Sequence, residues 1–303
     1  MGILTLKADY IWPSGASFGL KTRILSIRTN DSEDWKLELS DIPHWTFSSS
    51  EDSEESILRP IFACIDPNKP NSIIILCDLL ASDFTTHRAN HRAQLLQVLV
   101  DNYNSKPLMW FVQSYKLNSL IKHHRLIDDL FLTSCVNSQL SISSLYNYKY
   151  EIGLQTQNIV EACDHLIVSR YLLSRASVAY DANLSFEQTD NLSINFSTEE
   201  MRQAGGLYQI REFMSKITEE QNVDSLETNV EHSSVLQALY ASYDRDVSQL
   251  NSLTPMVSIP IHVERQGCGY LTDIRPCSYS NPYRIAKELI SLSAEVSGSR
   301  DPH

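Results

Sequence analysis

Glycine is scarce in this chain, at 9 of 303 residues, or about 3%, where soluble proteins average about 7%. Glycine-rich loops let backbone N–H groups approach and bind phosphates closely. A protein that handles nucleotides usually needs such loops. The scarcity is therefore evidence against nucleotide chemistry.

Other features are also missing, and their absence limits the class of protein. No apolar run approaches the roughly 20 residues that cross a bilayer, and the N-terminal residues lack the layout of a signal peptide. The six cysteines form no Cys-x-x-Cys pair, and the net charge is -12. We therefore expect reduced thiols in a cytoplasmic protein that binds neither membranes nor nucleic acid.

The pattern of apolar residues predicts an α+β protein with two domains. Alternation and β-branched content predict strands at 4–12, 20–27 and 73–77, in a small N-terminal sheet domain over residues 1–83. Residues 84–303 form the second predicted domain, in which helices and strands are mixed. Its predicted strands are 108–117, 146–153 and 259–263, and its main predicted helices are 86–103, 120–132, 159–175, 207–217 and 283–292.

Two local signals support particular helices. In 86–103, Ala93, Leu96, Val100 and Tyr103 recur at helical spacing and predict an amphipathic helix. The run Ser-Thr-Glu-Glu at 197–200 is a capping box that opens another helix, which the glycine pair at 205–206 ends.

Two segments of the second predicted domain have a recognisable pattern, Trp-Phe-Val-Gln-Ser-Tyr at 110–115 and Tyr-Lys-Tyr-Glu-Ile-Gly at 148–153. They resemble the two carboxylate-bearing strands of the type II (eukaryotic-type) glutamine synthetases. In that family the first strand carries Glu-Gln-Glu after Trp-Phe-Gly, and the second reads Trp-Glu-Phe-Gln-Val/Ile-Gly. Here Val112, Ser114 and Lys149 occupy the glutamate positions.

The resemblance extends from Asp9 to Leu292 in several ordered segments, which are 9–12, 20–25, 39–47, 57–60, 164–173, 195–202 and 269–283. About thirty residues that the family has after the first carboxylate strand have no counterpart here, so the chain resembles a shortened member. The resemblance implies a β-grasp-like N-terminal domain, followed by an α/β barrel domain of the glutamine synthetase catalytic type.

The family joins glutamate and ammonia with ATP and two or three divalent metals, in rings whose active sites are shared between subunits. The resemblance implies that most of its site residues are lost. Positions that hold metal in the family are occupied by Val112, Ser114, Ile142, Lys149, Ser193 and Thr272. Catalytic and substrate-binding positions are occupied by Ser48, Val235, Ala241, Pro255, Pro260 and Ile274, while Asn195, Ser197 and Arg275 persist.

This loss predicts a catalytically inactive relative that binds no metal or ATP. It would act through assembly, as a homo-oligomer or as a hetero-oligomer with an active glutamine synthetase. Two alternatives stay open. One is an active glutamate–ammonia ligase that uses Mg²⁺ and ATP through relocated ligands such as Glu151, and the other is a small-molecule sensor that uses the former active-site funnel.

Overall fold

The computed structural model describes residues 2–14, 17–29, 38–48, 55–66, 69–118, 140–146, 149–154, 158–179, 183–185, 192–218, 238–239, 241–243 and 256–298. The chain divides into two compact units. The first comprises Met1–Ala93, Ser119–Ser138 and Ile167–Asp181, and the second comprises Gln94–Asn118, Gln139–Leu166 and Ala182–His303. The predicted domain boundary near residue 83 stays a prediction, and the predicted helix at 120–132 lies outside the described residues.

A five-stranded sheet forms the body of the first unit. Its strands are β1 (Gly2–Ser14), β2 (Ser17–Thr29), β3 (Trp45–Ser48), β4 (Glu55–Ile65) and β5 (Ser72–Ala81). The order across the sheet is β2-β1-β5-β4-β3, with β1 and β5 parallel and the other neighbours antiparallel. The three strands predicted here are confirmed, and each is longer than predicted.

One face of this sheet carries the apolar core of the first unit. Tyr10 and Trp45 pack edge to face with their ring centroids 5.3 Å apart, and the Tyr10 hydroxyl donates a hydrogen bond of 3.0 Å to the carbonyl of Pro43. Burial raises the pKa of Tyr10 to about 12, with Arg23 opposing the shift. Residues 73–77 of β5 are at most 1% exposed, as their β-branched content predicts.

A cluster of buried charges joins this sheet to the C-terminal part of helix α2 (Ile159–Ala179). Arg175 forms an ion pair of 2.6 Å with Asp66, whose side chain has no exposed surface, and lies 3.6 Å from a carboxylate oxygen of Asp9. The Tyr171 hydroxyl donates to the same oxygen of Asp9, and the Thr22 hydroxyl donates to its other oxygen. Because Asp9 lies in β1 and Asp66 directly follows the end of β4, Arg175 fixes the helix to two parts of the sheet.

The second unit contains a seven-stranded sheet in the order β11-β12-β10-β6-β8-β7, with β9 paired to β6. Its strands are β6 (Leu108–Asn118), β7 (Leu140–Tyr146), β8 (Lys149–Leu154), β9 (Asn183–Ser185), β10 (Leu192–Ser197), β11 (Val257–Ser258) and β12 (Leu271–Asp273). The remaining helices are α1 (His91–Asp101), α3 (Glu199–Arg202), α4 (Leu207–Thr218), α5 (Ile261–Gln266) and α6 (Pro282–Gly298). The mixture of helix and sheet fits the predicted α+β class, and the β-grasp and barrel architectures stay predictions.

Local signals explain where most of these helices begin. The side chain of Asn158 accepts hydrogen bonds from the amides of Val160 and Glu161 at the start of α2. Pro282 occupies the first position of α6, where its missing N–H costs nothing. At α3 the capping residue is Thr198 rather than the predicted Ser197, and its hydroxyl accepts from the amide of Met201.

The predicted strand at 259–263 is wrong, because these residues enter helix α5 and the local strand is β11 at 257–258. Three alternating apolar residues suggested a strand, but Pro260 precedes the helix and Gly267 ends it with a φ of 76°. Both are recognised helix boundary signals. The predicted strand at 146–153 also differs, since β7 ends at Tyr146 and β8 begins at Lys149.

Helix α1 begins at His91, five residues later than predicted, and its apolar stripe faces away from the core. Leu96, Val100 and Tyr103 are 40%, 71% and 73% exposed, whereas Leu95 is fully buried. Helical spacing therefore identified the helix but not its buried side. Within the described ranges, no helix is long and apolar enough to span a membrane.

Candidate functional site

The central strands of the second sheet have two very different faces. On one face the described side chains of β6 and β10 are fully buried, namely Met109, Phe111, Gln113, Leu192, Ile194 and Phe196. Phe196 packs against Phe213 of helix α4 with ring centroids 5.4 Å apart. This face is the core side of the sheet, and it positions the strands whose opposite face holds the predicted site residues.

The opposite face brings several of the predicted positions together. Val112 lies opposite Ser193, and Asn195 lies opposite both Trp110 and Thr272. Residues that face each other across an antiparallel ladder point to the same side, as do residues two apart along a strand. Trp110, Val112, Ser193, Asn195 and Thr272 therefore form one surface, which we call the site face.

The side chains of the site face are neutral. The Thr272 hydroxyl donates a hydrogen bond of 2.7 Å to the side-chain oxygen of Asn195. Trp110 packs edge to face against Tyr270 with centroids 4.6 Å apart, and His262 lies 5.6 Å from the same ring. The site face thus offers hydroxyls, an amide, a valine and aromatic edges. Hard divalent cations take several anionic oxygen ligands, so this donor set does not fit Mg²⁺.

For three further predicted positions the backbone register alone is informative. Ser114 lies opposite Glu151, and Lys149 lies opposite Lys116. Val112 lies opposite Gly153, and the two pairs follow at every second position along β6 and β8. We call this series of alternate positions the register line of Val112. Ile142 is opposite Ile152 and so falls on the alternate register line, while its neighbour Ser141 pairs with Gly153. In β7 the position in line with Val112 is therefore 141 rather than 142.

Arg275, which persists from the family pattern, is fully buried inside the protein. Its guanidinium contacts both carboxylate oxygens of Asp273 at 2.9 and 2.7 Å and donates to the carbonyl of Ile217 at 2.7 Å and the hydroxyl of Tyr243 at 3.0 Å. The Tyr243 hydroxyl in turn donates to Asp273 at 2.7 Å. These contacts give Arg275 a structural role, in which it joins the end of α4, the segment at 241–243 and β12.

Asn195 and Ser197 also persist, and each has a partner in the described structure. Asn195 is 7% exposed and accepts from Thr272, as described above. Ser197 is 1% exposed, and its hydroxyl and carbonyl both accept from Arg202 at 2.9 and 3.2 Å. Arg202 also donates to the carbonyl of Lys106 at 2.6 Å, so Ser197 is part of a link between two segments of the second unit.

The other predicted positions do not join the site face in the described structure. Ser48 is the exposed last residue of β3 in the first unit. Ala241 is exposed, Pro260 caps the start of α5, and the amide of Ile274 donates to the carbonyl of Met256. The two remaining positions, Val235 and Pro255, lie outside the described residues.

Sequence reasoning missed the buried group of Asp273, Arg275 and Tyr243. The available signal was the Asp-Ile-Arg spacing at 273–275, which places two opposite charges close together at the end of a strand. It also missed His165, whose pKa burial lowers while Glu161, 3.8 Å away, and Asp164 oppose the shift. In the described part of the chain, no group of three or more His, Cys, Asp or Glu side chains is placed to hold a metal ion.

Comparison with known proteins identifies relatives along almost the whole chain. The chain is 23% identical to a glutamine synthetase of Streptomyces viridochromogenes, covering 95% of this chain and 96% of that protein. It is 25% identical to a putative glutamine synthetase of Acanthamoeba polyphaga mimivirus, covering 95% and 94%, and 23% identical to the mitochondrial glutamine synthetase 1 of Drosophila melanogaster, covering 94% and 83%. No protein-family model matches the chain.

The first of these alignments spans 346 positions, which is more than the 303 residues of the chain. The chain therefore lacks segments that this relative has. The similarity covers almost the whole chain and agrees with the ordered segments found in the sequence. On this evidence, the chain is similar to glutamine synthetases along almost its whole length, which confirms the family resemblance found in the sequence.

Proposed function

We propose that this protein is a glutamine synthetase-like pseudoenzyme of the cytoplasm, which does not ligate glutamate and ammonia and acts through assembly. The neutral site face supports this most directly. Val112, Ser193 and Thr272 meet on adjacent strands, at positions where the family resemblance implies metal ligands.

The physical argument concerns charge. Phosphoryl transfer depends on cations that neutralise the charge developing on the phosphate, and hard metal cations are held by several carboxylate oxygens. The described side chains of the site face provide no carboxylate. A bound metal there would keep nearly its full charge against neutral groups, which is a costly arrangement.

The position of Lys149 adds to this argument. Its backbone lies on the same register line as Val112 and Ser114. It is two residues along β8 from Glu151, which lies opposite Ser114. A lysine ammonium at a metal position repels a cation rather than binding it. Glu151 is a single carboxylate on that line, and one carboxylate is too few for a Mg²⁺–ATP centre.

The remaining Arg275 does not supply a phosphate-binding group in this state. Its side chain is 0% exposed and is paired with Asp273, Tyr243 and the Ile217 carbonyl. An incoming phosphate would have to displace the Asp273 carboxylate from a buried ion pair. This supports a function in which Arg275 serves structure rather than phosphate chemistry.

Turnover by the purified full-length chain tests the loss of activity. Phosphate release is measured with glutamate, ammonium, Mg²⁺ and ATP, and glutamine is quantified in the same samples, beside an active glutamine synthetase as control. We expect the enzyme-free blank value for both products. Glutamine formation that EDTA abolishes would show that a metal centre has been rebuilt from other residues, and would overturn the proposal.

Ligand binding is tested separately by thermal shift. A ligand that binds only the folded state raises the melting temperature, and the stabilisation grows with the logarithm of the ligand concentration above its Kd. We expect no shift with Mg²⁺ and ATP together, where the active control shows one. This separates a protein that binds nucleotide without turnover from one that does not bind it.

Assembly is tested by light scattering after size exclusion, alone and after co-expression with an active glutamine synthetase. We expect a mass above that of one chain, in a homo-oligomer or in mixed particles whose ligase rate per active subunit is changed. A single-chain mass under both conditions would refute the assembly function while leaving the loss of activity intact.

A further inference from the structure

The outer edge of the first sheet has the features of an assembly surface. Strand β2 is an end strand, and within the described residues no strand pairs with its outer edge. It is paired with β1 in unbroken antiparallel register along all 13 of its residues. A long, regular edge of this kind presents a row of backbone donors and acceptors to any chain that can pair with it.

The register shows which backbone groups face outward. The amide of Lys7 in β1 donates to the carbonyl of Asn71, on the β5 side of the sheet. The N–H and C=O of one strand residue point to the same side, so Lys7 makes no backbone hydrogen bonds to Ile24, the residue opposite it. The N–H and C=O of Ile24 therefore point away from β1, and with a period of two the same holds for Leu20 and Thr22.

Two of these three residues have apolar and exposed side chains. Leu20 is 51% and Ile24 is 62% exposed, and they flank the exposed Thr22 at equal spacing. Lysines on edge strands normally discourage pairing. Here Lys21 lies over the ring of Trp45 at 4.6 Å and donates to the carbonyl of Thr46, and Arg23 lies 5.2 Å from the same ring. Both cations are thus held on the other face of the sheet.

We propose that β2 pairs antiparallel with β2 of a second copy of this chain, about a two-fold axis at Thr22. This pairing rests on the proposed assembly function and names its surface and its partner. With Thr22 opposite Thr22, Leu20 of each copy lies opposite Ile24 of the other. The facing pairs of even-numbered residues from 18 to 26 then use outward-pointing backbone groups, which gives about ten backbone hydrogen bonds.

A second copy of this chain is the partner that the edge fits because the edge is complementary to itself. The apolar pair is symmetric about Thr22, so a single two-fold operation matches Leu20 with Ile24 on both sides. An isologous contact needs this kind of symmetry. Apolar cross-strand pairs of this type add to the backbone hydrogen bonds.

Charge substitutions at the paired positions test the register. The like-charged variant L20K/I24K places lysine opposite lysine twice, and we expect it to halve the particle mass measured by light scattering over a dilution series. The mixed variant L20E/I24K places glutamate opposite lysine twice in the same register, and we expect it to keep the wild-type mass. Both positions are exposed, so the fold is expected to tolerate these changes.

A matched control applies the same chemistry to another exposed apolar pair. The variant L96K/V100K introduces two lysines on helix α1, whose side chains at these positions are 40% and 71% exposed. We expect this control to keep the wild-type mass. Amide hydrogen exchange gives a local readout, because the amides of Leu20, Thr22 and Ile24 should be protected in wild type and exchange rapidly in L20K/I24K.

The outcomes separate this pairing from the loss of activity. The pairing would be overturned if L20K/I24K kept the wild-type mass, or if L20E/I24K dissociated as fully as L20K/I24K. It would also be overturned if the wild-type protein had the mass of a single chain. Dissociation by L96K/V100K with no effect of L20K/I24K would move the interface to helix α1 and also overturn it. None of these results bears on ligase activity, which the turnover assay decides independently.

Discussion

Replacing Arg275 by methionine tests whether this residue is a structural element or a remnant of a binding site. The guanidinium has no exposed surface and makes four hydrogen bonds of 2.7 to 3.0 Å, two to Asp273 and one each to Tyr243 and the Ile217 carbonyl. Methionine retains much of the volume but none of the donors. The Asp273 carboxylate then stays buried without its cation.

The expected cost follows from the buried charge. Removing one partner of a buried ion pair costs about 3–5 kcal/mol, because the remaining charge cannot return to water. In a folding unit of about 150–250 residues each kcal/mol lowers the melting temperature by about 2–4 °C. We therefore expect R275M to melt about 6–20 °C below wild type.

The assay is thermal unfolding followed by circular dichroism, with two further variants. R211M removes an exposed arginine from helix α4 in the same unit, and we expect its free energy of unfolding to stay within about 0.5 kcal/mol of wild type. The double variant R275M/D273N removes both charges. We expect it to be more stable than R275M alone, because the amide of asparagine is less costly to bury than a carboxylate without its cation.

Two results would refute the reasoning. One is an R275M variant with the same melting temperature as wild type, which would mean that Arg275 contributes no net stability to the fold. The other is a wild-type protein stabilised by ATP whose shift disappears in R275M. That result would show that the guanidinium leaves Asp273 to bind phosphate.

Substitutions at three further positions test other parts of the fold. Burial lowers the pKa of His165, so the unfolded chain takes up its proton first as the pH falls, and stability should decline below about pH 6.5. Melting temperatures of wild type and H165Q from about pH 8 to about pH 5 should converge or cross as the pH falls, and parallel curves would contradict this. R175M removes the ion pair of 2.6 Å with the buried carboxylate of Asp66 and should cost about 3–5 kcal/mol in urea unfolding, a loss that R175K should only partly recover. G206A would place its Cβ 2.2 Å from the backbone oxygen of Met201 and should cost about 1–3 kcal/mol or more, with equal stability to wild type as the result that excludes the clash.

Local patterns in the sequence were sufficient for most secondary structure. Helix α2 and strand β6 lie where periodicity predicts them, and α6 begins one residue before its predicted start. Side-chain periodicity is a local property that each segment carries with it. The failure at 259–263 had a local cause too, because three alternating apolar residues were given more weight than Pro260 and Gly267.

The candidate site could be predicted only as a set of residue types. The sequence identified Val112, Ser193 and Thr272 as neutral residues at positions where the family resemblance implies ligands. It did not show that they share one face of a sheet, since that depends on the register between strands about 80 residues apart. Register is set by the packing of the opposite, buried face, and no single segment contains that information.

The sequence by itself determined the family frame, the order of most elements and the absence of acidic side chains at the expected positions. Only the tertiary structure decided that Arg275 is enclosed by Asp273 and Tyr243, and that the apolar stripe of α1 faces away from the core. The physical reason is that spacing along the chain fixes which side chains lie together on one element. Burial and ion pairing depend instead on which other elements pack against it.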